Sequence, residues 1–448
     1  MNYRLLVAHA LAKALVIGPW TPVALRQLAA EVVGADSSWI APLVRAVLRH
    51  FSEPPAASEE GIARLAAAIA KRRAFREAFW GREVPHIRRW LAPSPAMGAA
   101  PWPVPPAATL LELGRLLEVE PRELEWLADA RRFLRRVNNP RLEHYHRAWL
   151  PKRSGGFRLI EVPKTRIKTV QRRVLHRILD AIPAHACAEG FVRGRSALSH
   201  ARRHAGHAVV LRLDLEDFFT SIPHARVFHV FRAAGYPEPI ARVLAGVCTT
   251  ALPPSEFARC PRPVNAAELA RYQRLRQSAL SQHLPQGAPT SPALANLCAL
   301  GLDRRLTGAA AAVGAEYSRY ADDLTFSGDT AFARRVQSFS TLAAAIALDE
   351  DFEVNFRKTR IMHRASRQRV CGLVVNERPN VPRGEYDRLK AVLTNCRRHG
   401  PRSQNRDEHS DFRAHLQGRV AWVEAVTPAR GAKLRALFDA IDWATARE

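Results

Sequence analysis

Cysteine is scarce in this chain of 448 residues: there are six, and no two of them form a Cys-x-x-Cys pair. A zinc site and a disulfide framework are therefore not indicated, and a reducing, cytoplasmic compartment is expected. Long apolar runs are missing as well, because charged residues interrupt the alanine-rich stretches. This excludes a membrane-spanning helix and with it a membrane partner of that kind. Residues 1–8 predict an amphipathic helix and not a secretion signal.

Acidic residues are few compared with basic ones. Asp and Glu total 42 against 68 Lys and Arg, which gives a net charge of +26 and a pI near 11.0. Most of the basic residues are arginine, whose guanidinium group makes bidentate contacts to phosphate. This balance favours a nucleic-acid partner. The alternative interpretation is a solvated basic surface in a chain from an arginine-rich proteome.

The pattern of apolar residues, prolines and charges divides the chain into five predicted segments. They are a helical N-terminal region (1–92), an extended proline-rich linker (93–107), a short helical segment (108–142), a core in which strand and helix patterns alternate (143–375), and a helical, basic tail (376–448). In the first segment, apolar residues recur at helical spacing, for example at Leu5, Ala8, Ala12 and Leu15, as core packing requires. The core predicts an α+β fold, a sheet backed by helices.

Two adjacent carboxylates stand out in the core, at the end of the stretch Tyr320-Ala321-Asp322-Asp323. Aromatic, β-branched and apolar residues flank them on both sides, which predicts a β-hairpin with the two aspartates at its turn. Neighbouring carboxylates repel each other unless cations neutralise them, and Mg²⁺ prefers such hard oxygen ligands. Taken alone, the same four residues are also consistent with a hairpin turn that has no chemical role.

Two further segments bear on that choice. The apolar run Val209–Leu213 predicts a strand that ends at Asp214, so a third carboxylate is expected beside the hairpin. A phosphoryl-transfer site with two metal ions needs such a group of carboxylates. Between the two segments, a loop containing Gln286 and Gly287 leads into Ser291-Pro292, which suits the start of a helix.

These motifs, in this order and spacing, resemble the palm motifs of reverse transcriptases. They are Asp214 with Phe219, Pro285-Gln286-Gly287 leading to Thr290-Ser291-Pro292, and Tyr320-Ala321-Asp322-Asp323. Residues 152–164 resemble the fingers hairpin, 354–359 the motif with a lysine near the triphosphate, and 370–376 the primer grip. The resemblance covers about residues 143–430, and bacterial retron enzymes fit best.

The resemblance implies an α+β right-hand polymerase with fingers, a palm (an antiparallel sheet backed by helices) and a helical thumb, preceded by the helical N-terminal region. It implies an RNA-directed DNA polymerase of retron type that uses two Mg²⁺ ions and dNTPs. Its partners are then a cognate structured non-coding RNA, the RNA–DNA product and an effector protein, and its setting is antiphage defence.

The resemblance also assigns catalytic roles. Asp214 and Asp322 are expected to bridge both metal ions, with Asp323 as a nearby ligand and the backbone carbonyl of Leu215 as a further one. Lys358 is expected to protonate or neutralise the leaving pyrophosphate; the alternative is a phosphate contact to the template. Asp217, three residues after Asp214, is instead expected to cap a backbone N–H.

Substrate roles follow in the same way. Phe219 is expected to lie beneath the sugar and to exclude a ribose 2′-OH, with core packing as the alternative. Gln286 is expected to contact the incoming nucleotide, and Gly287 to allow close backbone approach. Arg158 and Lys164 are expected to bind triphosphate oxygens; otherwise they lie on a solvated hairpin face.

RNA recognition is assigned to two regions. Retron enzymes carry Asn-Ala-x-x-His before the first catalytic aspartate and Val-Thr-Gly near the primer grip. This chain has His200-Ala201-Arg202-Arg203-His204 and Val370-Cys371-Gly372, each with one departure. His200 and His204 are expected to contact RNA; the alternative is a helix face with surface histidines. In the tail, basic residues are expected to contact RNA at Arg383, Arg388, Lys390, Arg397 and Arg398.

Two other functions remain open at this point. One is a reverse transcriptase of another bacterial class, such as the group II intron, diversity-generating or abortive-infection types. No nuclease motif follows the predicted thumb, which argues against a mobile-intron enzyme. The other is a non-catalytic RNA-binding scaffold, against which the intact aspartates argue.

Overall fold

The structure, a computed structural model, describes residues 3–81, 84–91, 96–129, 133, 139, 141–152, 155–263 and 265–443. Parts of the predicted linker and of the predicted segment 108–142, and the last five residues of the tail, lie outside these residues. The chain forms two compact units, Met1–Ala96 and Met97–Glu448. No helix in the described ranges is both long and apolar enough to cross a membrane.

The first unit is helical, as its periodicity predicts. Its helices are α1 (Tyr3–Leu15), α2 (Pro22–Val33), α3 (Ile40–His50), α4 (Glu59–Lys71) and α5 (Arg73–Ala78). The side chains of Thr21 and Ser58 accept hydrogen bonds from backbone N–H groups in the first turns of α2 and α4, which fixes where these helices begin. The core contains Ala8, Ala12 and Leu15, whereas Leu5 of the predicted stripe is half exposed.

The second unit begins with an irregular, proline-rich segment. Within the described part of the predicted linker, Trp102 and Val104 pack against the main hydrophobic core, and the Tyr236 hydroxyl donates to the Pro105 carbonyl oxygen at 2.8 Å. The segment is therefore attached to the second unit along its length, which a free linker would not be. Its extended prolines fit that placement because they supply carbonyl acceptors and apolar rings without needing N–H partners.

Helices and one hairpin precede the central sheet. They are α6 (Leu110–Leu117), α7 (Pro121–Leu127), the antiparallel strands β1 (Tyr145–Pro151) and β2 (Phe157–Pro163), α8 (Thr165–Arg177) and α9 (Ala197–Arg203). Ser196 and Ser199 form a reciprocal capping box at the start of α9.

The central sheet follows the sequence predictions for its strands. It is antiparallel, with the order β4-β5-β3-β6, and consists of β3 (Val209–Asp214), β4 (Glu316–Tyr320), β5 (Asp323–Gly328) and β6 (Arg360–His363). Between β3 and β4 lie α10 (His224–Ala233), α11 (Glu238–Cys248), α12 (Pro254–Phe257), α13 (Ala266–Leu280), α14 (Ser291–Cys298) and α15 (Leu300–Ala311). The helix α16 (Thr330–Asp349) follows β5, and its N-terminus is capped by Asp329.

The C-terminal part is helical, as predicted. A short hairpin of β7 (Arg369–Val370) and β8 (Leu373–Val374) leads to α17 (Arg383–His399), α18 (Phe412–Val426) and α19 (Pro428–Asp439). Strand β3 separates two hydrophobic clusters: Val209, Leu211 and Leu213 belong to the cluster formed with the helices around the sheet, whereas Val210 belongs to the cluster that includes the C-terminal helices. This alternation is the period-two pattern of a strand buried on both faces.

Candidate active site

Three carboxylates meet at one end of the central sheet. Asp214, the last residue of β3, pairs in register with Asp323, the first residue of β5, and Asp322 lies in the turn just before it. The Leu215 N–H donates to the Asp322 carbonyl oxygen at 2.9 Å, which joins the end of β3 to the turn. The predicted hairpin and the predicted placement of its neighbouring strand are therefore confirmed.

Buried groups hold the turn that contains Asp322 in its shape. Ala321 has a left-handed backbone with φ of 57°, and a side chain at Gly190 would come within 2.7 Å of the Ala321 nitrogen. Arg319 is fully buried; it pairs with Asp303 at 2.7 Å and donates to the Ala321 carbonyl oxygen at 3.1 Å. A buried charge pair that also holds the backbone explains why the turn keeps this shape.

Burial and mutual repulsion set the protonation of the two turn carboxylates. Burial, followed by the nearby charge of Asp214, raises the pKa of Asp322. Burial raises the pKa of Asp323 to about 6, against the opposing influence of Arg212. Nε of Arg212 donates to Oδ1 of Asp323 at 3.1 Å, and a terminal nitrogen donates to Oδ2. Arg212 therefore neutralises Asp323, a contact that the sequence pattern does not indicate.

A lysine lies against the third carboxylate. Nζ of Lys358 donates to Oδ1 of Asp214 at 2.7 Å, although the two residues are 144 positions apart in the chain. Lys358 follows the bend at which the Asn355 N–H donates to the Asp214 carbonyl oxygen at 2.7 Å. The predicted lysine thus lies at the predicted carboxylate.

These groups can be compared with the needs of a divalent cation. Asp214 and Asp322 are partly buried, repel each other and offer hard oxygen ligands, as Mg²⁺ prefers. The Leu215 carbonyl oxygen accepts no hydrogen bond from any described residue, so its lone pairs are not used within the described part of the chain. Both oxygens of Asp323 face Arg212, and Asp323 fits the metal less well. The residues present therefore fit a metal site centred on Asp214 and Asp322.

A second group of donor atoms fits a metal poorly. Among the described residues, the donors of His185, Cys187 and Asp303 lie within 4.8 Å of one another. Asp303 is already paired with Arg319, and burial followed by the charge of Asp303 raises the pKa of Cys187, which keeps the thiol protonated. A protonated thiol and a neutralised carboxylate are weak cation ligands.

A cavity of about 210 Å³ opens over Asp214 and Asp322. Predicted substrate residues that line it are Arg158, Phe219 and Gln286, together with Lys358. The ring of Phe219 is partly buried and lies 5.6 Å from that of Phe218 and 6.1 Å from that of Phe191. The structure therefore brings most of the predicted nucleotide contacts to one side of the carboxylates.

Two other predicted substrate residues do not line this cavity. Gly287 has φ of 135°, and a side chain there would come within 2.7 Å of the Glu161 carbonyl oxygen. The close approach that was predicted is therefore made to β2, so a direct nucleotide contact by Gly287 is not supported. Lys164 lies between the end of β2 and the start of α8, where its N–H donates to the His144 carbonyl oxygen at 2.8 Å.

The predicted cap at Asp217 is wrong. Its carboxylate accepts a hydrogen bond from Nζ of Lys152 at 2.6 Å instead of one from the backbone. Asp217 has a left-handed backbone with φ of 45°, whereas a residue that caps a helix N-terminus typically has an extended backbone. Lys152 and Asp217 both line the cavity, as does Arg271 of α13, which no motif in the sequence indicates.

The predicted RNA contacts at His200 and His204 are wrong. Both side chains are 0% exposed. His200 hydrogen-bonds to Ser318 at 2.8 Å, and His204 bonds to Ser318 at 2.6 Å and Ser327 at 2.8 Å. The histidines therefore join α9 to β4 and β5, the two strands of the hairpin that carries Asp322, and neither the RNA contact nor a surface position is consistent with this burial. Hydroxyl residues alternating on β4 and β5 are the sequence signal for such a network.

The basic residues of α17 lie at the surface. Exposed side chains on this helix include all five that were predicted to contact RNA, namely Arg383, Arg388, Lys390, Arg397 and Arg398. Their exposure leaves them accessible to phosphate, and the buried Leu389 and Leu393 fix the opposite face of the helix. Whether they bind RNA stays a prediction.

Comparison with known proteins gives the family. Residues 150–386 match the family described as reverse transcriptase (RNA-dependent DNA polymerase). The chain is 40% identical over 301 residues to the retron Mx65 reverse transcriptase of Myxococcus xanthus, an alignment that spans 66% of this chain and 64% of the relative. It is 34% identical over 333 residues to the retron Mx162 reverse transcriptase of the same organism, spanning 71% of this chain and 64% of the relative.

A third similar protein, from another organism, is also a retron reverse transcriptase. The retron Ec86 reverse transcriptase of Escherichia coli is 34% identical over 238 residues, which span 53% of this chain and 64% of the relative. Each of the three alignments thus covers slightly less than two thirds of the relative's own length. The matched region contains the carboxylates, the cavity and the central sheet. The chain therefore belongs to the reverse transcriptase family, and its similarity is to the bacterial retron type.

Proposed function

We propose that this chain is an RNA-directed DNA polymerase of retron type, which copies a cognate structured non-coding RNA into DNA. The observation that carries the proposal is the meeting of Asp214 and Asp322 at the end of the central sheet, beneath a cavity lined by Phe219, Gln286 and Arg158. The similarity to retron reverse transcriptases supports the choice of RNA as template.

The right-hand arrangement is part of the proposal. We assign the hairpin of β1 and β2 to the fingers, the central sheet with its helices to the palm, and α17 to α19 to the thumb. The basic, exposed face of α17 suits a grip on a nucleic-acid backbone. A thumb of this kind lies after the palm in the chain, as these helices do.

The reaction is attack by a primer 3′-hydroxyl on the α-phosphorus of a dNTP, with pyrophosphate as the leaving group. Two Mg²⁺ ions held by Asp214 and Asp322, with the Leu215 carbonyl oxygen, would supply activation of the hydroxyl and neutralisation of the phosphates. Asp323, neutralised by Arg212, holds the turn in place. The main contribution of the protein is then positioning and electrostatics, as is general for phosphoryl transfer.

Other residues act on the nucleotide. In this proposal the ring of Phe219 excludes a ribose 2′-OH, Gln286 contacts the incoming nucleotide, and Arg158 donates to phosphate oxygens. Lys358 leaves Asp214 when the nucleotide binds, and its Nζ donates a proton to the departing pyrophosphate. Because its ammonium begins 2.7 Å from Asp214, the lysine already lies at the reaction centre.

Primer extension by the purified chain tests the proposal. With Mg²⁺, dNTPs and a primed RNA template, we expect DNA synthesis by the native chain and none by Asp214→Asn. Synthesis by both, or by neither, would contradict it. The retron type is tested by expressing the chain with the DNA that flanks its gene. We expect an RNA–DNA product that depends on Asp214, and an unlinked DNA product or none would argue for another class.

An effector protein and a role in antiphage defence are further parts of the proposal, resting on the retron type alone. Their test is the survival of phage-infected cells that carry the chain with its flanking DNA. Protection that disappears with Asp214→Asn and with deletion of a neighbouring gene would support both parts. Equal survival of cells with and without these genes would contradict them.

A further inference from the structure

The segment between α11 and α14 forms its own connection to the β1–β2 hairpin. Leu159 of β2 is buried with Phe257 of α12 and Leu275 of α13 in a separate hydrophobic cluster. Beside it, Nε2 of His283 lies 2.8 Å from Oε2 of Glu161, and both side chains are at most 1% exposed. Apolar burial and a buried ion pair therefore hold α13 in a fixed position relative to the hairpin.

One face of α13 reaches the cavity above the carboxylates. Arg271 lines that cavity together with Asp214 and Asp322. Its Nε lies 3.3 Å from Oε1 of Glu216, which comes two residues after Asp214. A residue from a segment without any motif thus contributes a guanidinium group to the proposed reaction centre.

The position of Arg271 is set by a chain of charges. Glu216 is also 3.1 Å from a terminal nitrogen of Arg274, and Nε of Arg274 lies 2.8 Å from Glu353. The Glu216 N–H in turn donates to the Glu353 carbonyl oxygen at 2.7 Å. Glu216 is therefore fixed on two sides, and it holds Arg271 by a single ion-pair contact.

The guanidinium group of Arg271 has N–H donors that no described residue uses. Its side chain is 20% exposed, and it makes no hydrogen bond to any other described residue. At the same cavity, Lys152 and Lys358 each donate to a carboxylate, at 2.6 and 2.7 Å. A partly buried guanidinium with open donors binds phosphate oxygens strongly, because bidentate hydrogen bonds and charge act together.

We propose that Arg271 is a triphosphate-binding residue, contributed by α13 and positioned by Glu216. The inference rests on the proposed polymerase function and adds a nucleotide contact that comes from outside the motifs. The incoming dNTP binds with its phosphates between Arg158 of β2 and Arg271 of α13. The two arginines belong to different elements, β2 and α13, and both line the cavity.

Steady-state primer extension separates this role from a structural one. We expect Arg271→Ala to raise KM for dNTP by about 10-fold or more, since a lost hydrogen bond to a charged group has an effect of that size. Arg271→Lys should recover part of the loss. The matched control is Arg276→Ala, an exposed arginine on the same helix that lines neither the cavity nor its rim. It should leave KM within about 2-fold of the native value.

A second measurement probes the phosphate contacts without the base and the sugar of the nucleotide, by inhibition of primer extension. Inorganic tripolyphosphate should inhibit the native chain and Arg276→Ala equally, and Arg271→Ala at least several-fold less. Glu216→Gln should raise KM for dNTP less than Arg271→Ala does, because it loosens the arginine without removing it. Should Arg271→Ala fail to fold, Arg271→Gln, which keeps most of the volume and loses the charge, carries the same expectations.

The outcomes distinguish the inference from the function on which it rests. If the native chain extends no primer, the proposed function fails and the inference fails with it. If the native chain extends primers and Arg271→Ala matches Arg276→Ala in KM and in tripolyphosphate inhibition, only the inference is overturned. If kcat falls while KM and the inhibition stay unchanged, Arg271 acts on the fold of the site and does not bind the triphosphate.

Discussion

The ammonium group of Lys358 and the carboxylate of Asp214 lie 2.7 Å apart, so a side-chain cation occupies the carboxylate to which we assign a metal ion. Lys358→Ala should therefore tighten binding of Mg²⁺ in the absence of nucleotide, because Asp214 and Asp322 are left without a neutralising partner. Titration with Mg²⁺ or Mn²⁺, followed by calorimetry, measures this. Lys390→Ala, an exposed lysine on α17, is the control. Equal affinity in all three proteins would contradict the competition.

Asp322→Asn should abolish DNA synthesis and leave RNA binding nearly intact. The change keeps the shape of the side chain and removes the charge that holds a metal ion. The rate of DNA synthesis should fall about 1,000-fold, which corresponds to a loss of several kcal/mol of transition-state stabilisation. Primer extension and a gel-shift assay measure the two properties. Asp349→Asn, at a side chain that is 64% exposed, is the control and should synthesise normally. Synthesis by Asp322→Asn near the native rate would refute the metal assignment.

Phe219→Ala should increase incorporation of ribonucleotides, because the ring in the cavity no longer excludes a 2′-OH. The measurement is the ratio of kcat/KM for dNTP to that for rNTP, which should fall about 10-fold or more. Phe356→Ala removes a ring that is 70% exposed and should leave the ratio unchanged. An unchanged ratio in Phe219→Ala as well would mean that Phe219 only packs against its neighbours.

The buried histidine pair predicts a loss of stability at low pH. Burial lowers the pKa of His200 to about 3 and lowers that of His204 as well, so both stay neutral when folded. In the unfolded chain they titrate near 6.5. As the pH falls below that value, the unfolded state takes up protons that the folded state does not, and the free energy of unfolding decreases. At pH 5.5 the loss from His200 is on the order of 1 kcal/mol.

Urea denaturation at pH 7.5 and 5.5 measures whether the free energy of unfolding decreases as the pH falls. His200→Asn should lower stability at both values, but its further loss between them should be smaller than that of the native chain. His399→Gln, at an exposed histidine, should keep the native pH dependence. A variant of His200 with the same pH dependence as the native chain would show that this histidine does not titrate on unfolding.

The affinity for RNA should fall steeply with salt, because contacts from arginine to phosphate release condensed cations. Replacing Arg397 and Arg398 together by glutamine should reduce the slope of log affinity against log salt by about 1 to 2. The matched control replaces Arg334 and Arg335, an adjacent, exposed pair on α16. If both double variants change the slope equally, or neither does, α17 has no special part in RNA binding.

Local patterns predicted each element at this end of the sheet well, because the residues that define each one are close in sequence. The strand before Asp214 and the hairpin at Asp322 have period-two patterns and a turn, and each can be inferred from a few neighbouring residues. The resemblance to reverse transcriptases then supplied the roles. The wrong predictions concern side chains whose partners are distant in sequence, such as His200 with Ser318 and Asp217 with Lys152. Periodicity does not report which polar residues are buried together.

The C-terminal helices were predicted as a separate basic thumb, and their basic face agrees with that description. The packing partner of their apolar face was not predicted. Val210 of β3 belongs to the same hydrophobic cluster as Leu389 and Leu416, so the helices share a core with the strand that carries Asp214. A helical pattern predicts that such a face is buried, but not against which strand.

That shared cluster limits how the chain can be divided. A fragment ending at residue 375 would lose most of the hydrophobic cluster to which Val210 belongs and expose the rest of it to water, so we expect it to aggregate rather than act as a minimal polymerase. The C-terminal helices and the central sheet then fold as one cooperative unit, not as interchangeable modules. An exchange of residues 376–448 with a related enzyme reports on RNA choice only when the buried positions, such as Leu393 and Val420, are matched as well.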